Sequence, residues 1–279
     1  MKYLKLNNDV EIPMLGYGAF LVADGDGCID AVKNALAAGY RHIDTAAAYK
    51  NEESVGIAIK ESGVPRKEIF ITTKFSNNDQ RYTGAHVAFD QSLERLGVDY
   101  IDLYIIHWPV KEHFVESWLG LEKIYKNGKV RAIGISNFNE HHIKDIEKVW
   151  SIVPALNQIE LHPRLTQKPL MKYCLEKGIA IESWSPLGGH WESGGLKDSL
   201  LENDVLLNIG KKYGKTTAQV ILRWNIDLGI VAIPKSVTPS RIKENIDIFD
   251  FELSSEDIAA IDGLNKNQRV GPDPVNFNF

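Results

Sequence analysis

IFITTKFSNNDQRYTGAHVAFDQSLERLGVDYIDLYIIHW, residues 69–108, reads as strand, helix, strand. IFITTK (69–74) and IDLYIIHW (101–108) are short apolar runs without strict polar alternation, as expected of parallel strands covered on both faces. Between them Ala85, Ala88, Phe89, Leu93 and Leu96 fall on one face at 3.6-residue spacing over 82–97, and Gly97 stands just past the helix end.

The same alternation extends to both sides. Upstream lie MLGYGAF (14–20) and YRHID (40–44); downstream lie VRAIGISN (130–137), ALNQIE (155–160), IAIESWS (179–185) and GIVAIPKS (229–236). Helical patterns at 27–38, 51–62, 114–126, 139–150, 167–177 and 216–227 fill the gaps. Asn51 followed by Glu52 and Glu53 marks one helix start, and Gly39, Gly128 and Gly178 stand just past helix ends. Eight strands in βα alternation over ~250 residues predict a (β/α)8 TIM barrel, an α/β fold. The opening MKYLKLNNDVEIP reads as a β-hairpin around Asn-Asn-Asp, and two extra helices are expected at 201–212 and near 254–263. No linker or composition shift divides residues 1–279, so one domain is expected. The competing doubly wound sheet lacks its dinucleotide fingerprint: Gly16-Tyr17-Gly18 has neither the third glycine nor a following helix, and nothing resembles GxxxxGK[ST].

Composition narrows the function. A chain that is 44% apolar and 25% charged buries a substantial core, and a net charge of −5 argues against nucleic-acid or anionic-membrane partners. Cys28 and Cys174 stand far apart in no metal-like spacing, so neither disulfide nor zinc site is expected. No stretch reaches the ~18 apolar residues of a membrane span, and the N-terminus lacks a signal-peptide core, so a cytoplasmic protein is expected. His141-His142 is no metal site on this reading: adjacent helical residues point apart, HExxH is absent, and the pair is expected on exposed helix surface. His190-Trp191, in the glycine-rich stretch 188–199, either reaches a ligand or packs its own loop.

Four polar residues carry the chemistry. Asp44, Tyr49, Lys74 and His107 sit at or just past the ends of three successive apolar runs, where a parallel barrel presents its catalytic groups. A carbonyl oxygen that gains negative charge needs a proton donor, and Tyr49 is the candidate. A free phenol titrates near ~10. An ammonium ~4 Å away at an effective dielectric of ~20 contributes about 4 kcal/mol, so Lys74 is expected to draw that pKa down. Asp44 would keep Lys74 charged, and His107 would hydrogen-bond the carbonyl oxygen or share the proton transfer.

Gly39-Tyr-Arg-His-Ile-Asp-Thr-Ala with Glu52, and Ile233-Pro-Lys-Ser-Val-Thr-Pro-Ser-Arg-Ile-Lys-Glu-Asn245, resemble two signatures of the aldo-keto reductases. Asp44, Tyr49, Lys74 and His107 match that family's tetrad in type and order. The resemblance implies a barrel that binds NADPH/NADP+ without a Rossmann domain. Lys235, Ser236 and Arg241 would then grip the 2′-phosphate, with Glu244 and Asn245 at the adenine. Read without the resemblance, Lys235, Ser236, Arg241 and Asn245 lie between the last strand and a helix, where barrels commonly bind phosphate; the alternative is a solvated helix start with Arg241 paired to Glu244.

The resemblance also implies Ser136, Asn137 and Gln158 at the nicotinamide carboxamide and Trp184 against its ring, where the family usually has Tyr. Ser185 and Leu187 would contact the pyrophosphate, and 188–199 would fold over the cofactor. Phe20 and Trp108 match substrate-pocket positions beside Tyr49 and His107, and the tail Val275–Phe279 would close one wall. That tail is short beside those of steroid-selective members, which favours small aldehydes, α-dicarbonyls such as methylglyoxal, or keto-sugars, as in bacterial glyoxal, methylglyoxal and 2,5-diketo-gluconate reductases. The function expected is NADPH-dependent reduction of a small-molecule carbonyl by a monomer. A non-catalytic nicotinamide-binding or structural protein on the same barrel is the rival. A phosphate-binding isomerase or lyase, which needs no cofactor, is a third reading.

Overall fold

The computed structural model describes residues 1–80, 82–189 and 199–277. Strands β1 (Tyr3–Lys5) and β2 (Glu11–Pro13) form the N-terminal antiparallel hairpin, with Leu4 opposite Ile12. A sheet of eight parallel strands follows in chain order: β3 (Tyr17–Gly18), β4 (His42–Asp44), β5 (Phe70–Phe75), β6 (Ile101–Ile106), β7 (Val130–Ser136), β8 (Leu156–Glu160), β9 (Ala180–Trp184) and β10 (Val231–Ala232). Its first and last strands meet. Leu15 bridges Ala232 in parallel, Gly16 N donates to Ala232 O at 2.9 Å, and Gly18 N donates to Pro234 O at 3.0 Å. The expected runs 14–20 and 229–236 supply only two ladder residues each, because beyond them the chain at this seam turns out to form the rim of the site.

The period-two alternation hidden in the apolar runs is visible in β6. Leu103 and Ile105 join Leu6, Ile12, Phe70, Ala132, Leu156 and Val231 inside the barrel above the hairpin, while Tyr104 and Ile106 pack outward beneath the helices. Every position is buried, so the strand shows no polar alternation although its two faces serve different cores. A one-residue slip would exchange the two sets, which fixes the register.

Helices α1 (Asp26–Ala38), α2 (Glu52–Glu61), α3 (Tyr82–Leu96), α4 (Phe114–Lys126), α5 (Glu140–Glu147) and α6 (Lys168–Glu176) each return the chain to the next strand. The α3 face formed by Ala85, Ala88, Phe89, Leu93 and Leu96 is buried as its spacing predicts. The extra helix expected at 201–212 is a short 3-10 turn, Leu200–Glu202, followed by α7 (Asp204–Tyr213), because Asn203 stops the turn and caps the helix by accepting from Val205 N and Leu206 N. After α8 (Thr217–Asp227) and β10, the stretch read as lying between the last strand and a helix is itself largely helical: α9 (Pro239–Ile246), with Pro at its first position. The second extra helix is α10 (Ser255–Asp262).

Two local expectations change. Asn51 precedes α2 but makes no cap bond; its amide donates to Ala19 O and Val22 O, and its oxygen accepts from Thr45, tying the loop after β3 to β4. His142 is buried rather than exposed. Its Nδ1 accepts from Asn139 N at 3.1 Å, closing a capping box at the start of α5, and its ring lies against Phe114 and Phe138. Nor do the two histidines point apart, since the His141 and His142 ring centroids are 3.8 Å from each other. Among the described residues no helix is long and apolar enough to cross a membrane.

Candidate active site

The C-terminal ends of β4, β5 and β6 bring the four polar residues together. Asp44 ends β4, Tyr49 closes the 3-10 turn Ala47–Tyr49 that follows it, Lys74 lies one residue before the end of β5, and His107 comes directly after β6. Lys74 Nζ donates to Asp44 Oδ1 at 2.6 Å and to Thr45 O at 2.9 Å, and reaches Tyr49 Oη at 3.5 Å. The rings of Tyr49 and His107 meet edge to face at 5.6 Å, and the Phe20 ring lies 5.0 Å from that of Tyr49. Lys74 and Asp44 are buried, while Tyr49 and His107 are half-buried and line the cavity.

The electrostatics differ from the simplest expectation in one respect. Burial pushes the Tyr49 phenol up to about 12, against the Coulombic pull of Lys74 and with Asp44 opposing that pull. The expected lowering by Lys74 is therefore outweighed by the cost of a phenolate in so buried a site, with Asp44 offsetting part of the ammonium's field. Burial works against charge on Lys74 too, yet Asp44 holds its pKa above the ordinary value, so the site contains an ammonium. Burial, and then the charge of Lys74, push His107 well below its ordinary range, leaving a neutral imidazole. The device is a protonated phenol between a neutral imidazole and a buried ion pair.

A cavity of about 1060 Å³ runs from this centre to the start of α9. Every sequence-predicted site residue lines it except Lys74, which lies behind Asp44 and Tyr49. Beside the centre, Asn137 has both amide hydrogens engaged, on His107 O at 3.0 Å and Ser136 Oγ at 3.0 Å, and its Oδ1 accepts from Trp184 Nε1 at 2.8 Å. It thus fixes Trp184 and the loop carrying His107. Its φ of 65° is a left-handed conformation that Asn tolerates better than most residues. Gln158 Nε2 donates to Asp44 Oδ2 at 2.8 Å and Glu182 Oε2 at 3.1 Å, and no protein donor among the described residues reaches its Oε1. That oxygen remains available to a ligand amide.

At the far end, Lys235 and Arg241 are exposed, and neither has an ion-pair partner among the described residues. Glu244 accepts from Thr216 Oγ1 at 2.8 Å rather than pairing with Arg241. Ser236 holds the turn by accepting from Thr238 N, and its carbonyl accepts from Tyr17 Oη across the barrel seam. Two unneutralised cations beside the N-terminus of α9 suit a phosphate.

Other lining residues went unnoticed in the sequence. Ser76, Asn77 and Asn78 follow β5 and give one rim polar character, and the turn at Leu200–Glu202 faces the groove. The tail, expected as one wall, stacks Phe277 on Trp108 at 3.9 Å. It is anchored further back by Glu160, whose carboxylate accepts from Val270 N and Gly271 N. Gly271 is required there, since a Cβ would lie 2.4 Å from Trp184 Cη2. His190-Trp191, most of the loop 188–199 and Phe279 fall outside the described residues.

The model of the aldo/keto reductase family matches residues 15–266. The chain belongs to that family. This aldo-keto reductase is 55% identical over 276 residues to the glyoxal reductase of Bacillus subtilis, covering 99% of this chain and 97% of that one. It is similar to an aldo-keto reductase from a Medee basin deep-sea metagenome library, whose crystal structure gives a TM-score of 0.94 at 45% identity over 99% of this chain and 100% of that one. It is also similar to the Bombyx mori aldo-keto reductase crystallised in complex with NADP, with a TM-score of 0.91 at 38% identity over 99% of this chain and 97% of that one.

Proposed function

We propose that this aldo-keto reductase reduces small aldehydes and ketones with NADPH, among them α-dicarbonyls such as methylglyoxal and keto-sugars. The observation that carries the proposal is the protonated Tyr49 hydroxyl at the cavity wall, backed by the Lys74–Asp44 pair and flanked by neutral His107. Family membership and the likeness to an NADP complex support the cofactor. The substrate class draws on the glyoxal reductase relative and on a pocket narrowed by Phe20, Trp108 and Phe277.

NADPH bound along the groove supplies the hydride. Lys235, Ser236 and Arg241 hold its 2′-phosphate, while Glu244 and Asn245 border the adenine. Ser185 and Leu187 line the pyrophosphate path. Trp184 gives the nicotinamide an aromatic face, and Gln158, Ser136 and Asn137 offer their oxygens to the carboxamide. Tyr49 donates its proton to the substrate oxygen as negative charge builds there. Lys74, kept charged by Asp44, stabilises the phenolate left behind, and His107 hydrogen-bonds and orients the carbonyl. A phenol poised high is a donor that does not ionise before substrate arrives. We further propose that the protein works as a single barrel domain, as a monomer and in the cytoplasm.

The test is NADPH oxidation in the presence of methylglyoxal by wild type and Tyr49→Phe. The variant should retain NADPH binding and lose about 10²–10⁴-fold in kcat. Equal rates would defeat the mechanism, and NADPH binding without turnover of any carbonyl by wild type would favour the binding-protein reading.

A further inference from the structure

One buried acid stands outside this scheme. Glu182, in the middle of β9, is fully buried one layer beneath the reacting centre. Its Oε2 accepts from Gln158 Nε2 at 3.1 Å, the same amide nitrogen that donates to Asp44 Oδ2. Among the described residues its Oε1 has no hydrogen-bond partner, and His42 Nε2 is 3.7 Å away and already faces Thr72 Oγ1 at 2.9 Å. Two carboxyl groups are thus bridged by one amide nitrogen in the buried interior, where the one buried ammonium among the described residues sits 2.6 Å from Asp44. Like charges sharing a site cannot both ionise cheaply, and the acid without the cation keeps its proton.

We propose that Glu182 is a positioning residue of the reductase and works as a neutral carboxylic acid, holding Gln158, and through it Asp44 and Lys74, beneath Tyr49 without adding charge to them. The proposal rests on the carbonyl-reductase reading of the site above. The titratable groups facing Glu182 are Asp44 and His42 from β4 and Lys74 from β5, with Tyr49 above; β8 contributes the uncharged Gln158, and β10 sets Val231 beside it. Burial, then the charge of Asp44, push the Glu182 carboxyl up to about 8, while burial pushes His42 down to about 3 and so denies Glu182 a cationic partner. When Glu182 releases its proton in alkaline solution, a second anion appears under the ion pair. That charge makes Tyr49 a weaker acid, and carbonyl reduction slows.

Two measurements decide it. The first is infrared difference spectroscopy of wild type against Glu182→Gln, on protein without cofactor, as a function of pH. A protonated-carboxyl stretching band should be present at neutral pH and disappear around pH 8; its absence at neutral pH overturns the proposal. Carboxyl-carbon NMR of wild-type protein labelled at glutamate reads the same titration if the variant does not fold. The second is kcat for methylglyoxal reduction against pH. Wild type should lose about fivefold across the Glu182 transition, and Glu182→Gln, whatever its neutral rate, less than about twofold. Glu182→Leu, which cannot hold Gln158, should lose about tenfold at neutral pH, with Gln restoring most of it. A persistent inflection in the Gln variant, or a Leu variant as fast as wild type, overturns the positioning role. A wild type that oxidises no NADPH removes the reductase reading instead, and the infrared band still decides where the proton lies.

Discussion

Lys74 has no exposed surface, and an ammonium in such a place persists only beside a counter-charge. Asp44 supplies that charge, and the pair is the most consequential contact of the site because Lys74 has no exposed surface and Asp44 almost none. Lys74→Met should therefore do two separable things. It removes the cation behind Tyr49, lowering both kcat and kcat/KM. It also strands Asp44 as an unpaired buried carboxylate, at a cost of about 3–5 kcal/mol in urea-unfolding free energy. Tyr49→Phe, at a half-buried position, should lose the first property and keep the second. At the other end of the groove, Arg241 has no ion-pair partner among the described residues. Arg241→Ala should weaken NADPH binding by about tenfold or more in a fluorescence titration, while NADH, which lacks the 2′-phosphate, binds nearly as before.

Among the elements, α5 shows how a short-range rule reads differently once its helix is packed. Spacing alone sets His141 and His142 on diverging faces, but the first turn of α5 bends the His142 ring back to Asn139 N and against Phe114. Burial pushes His142 down to about 4. Because the folded pKa lies below the unfolded one, the unfolded chain takes up this proton first as pH falls, and stability is lost between about pH 6.5 and 4. His142→Gln keeps a capping-box residue at the same position and removes that loss. At about pH 5 it should gain about 1 kcal/mol on wild type relative to the difference at pH 8, allowing for solvent screening, as read by urea midpoints. Much of the architecture was legible from such local patterns: the eight βα units, the apolar face of α3 and the strand-end tetrad all follow from periodicity and position. What escaped depends on distant parts of the chain. Glu160 anchors Gly271 from more than 100 residues away, Asn137 grips Trp184 across two strand ends, and the net acidity of Tyr49 depends on how deeply the fold buries it. The signature at 233–245 located the cations without revealing that α9 carries Arg241.

On the scale of the whole molecule, the buried Glu182 imposes a cost that other parts of the barrel offset. Its folded pKa of about 8 lies above the ordinary carboxyl value of 4.5, so its contribution is complete below that lower value and declines as pH rises towards 8. Glu182→Gln has no such decline. Relative to wild type it should gain about 3–4 kcal/mol in unfolding free energy between about pH 5 and pH 8, the opposite direction to His142→Gln; a constant difference across that range would contradict a protonated Glu182. The seam where Leu15 meets Ala232 reaches furthest in sequence. During synthesis, β3 can pair with β4 almost at once, but its other edge waits for more than 200 residues until β10 leaves the ribosome. At ~5–20 residues per second that is about 10–40 s during which a growing open sheet carries an unpaired edge. Two-residue strands at both sides of the join keep that edge too short to recruit a neighbouring chain. The brevity of β3 and β10 is thus a safeguard during birth as much as a feature of the finished barrel.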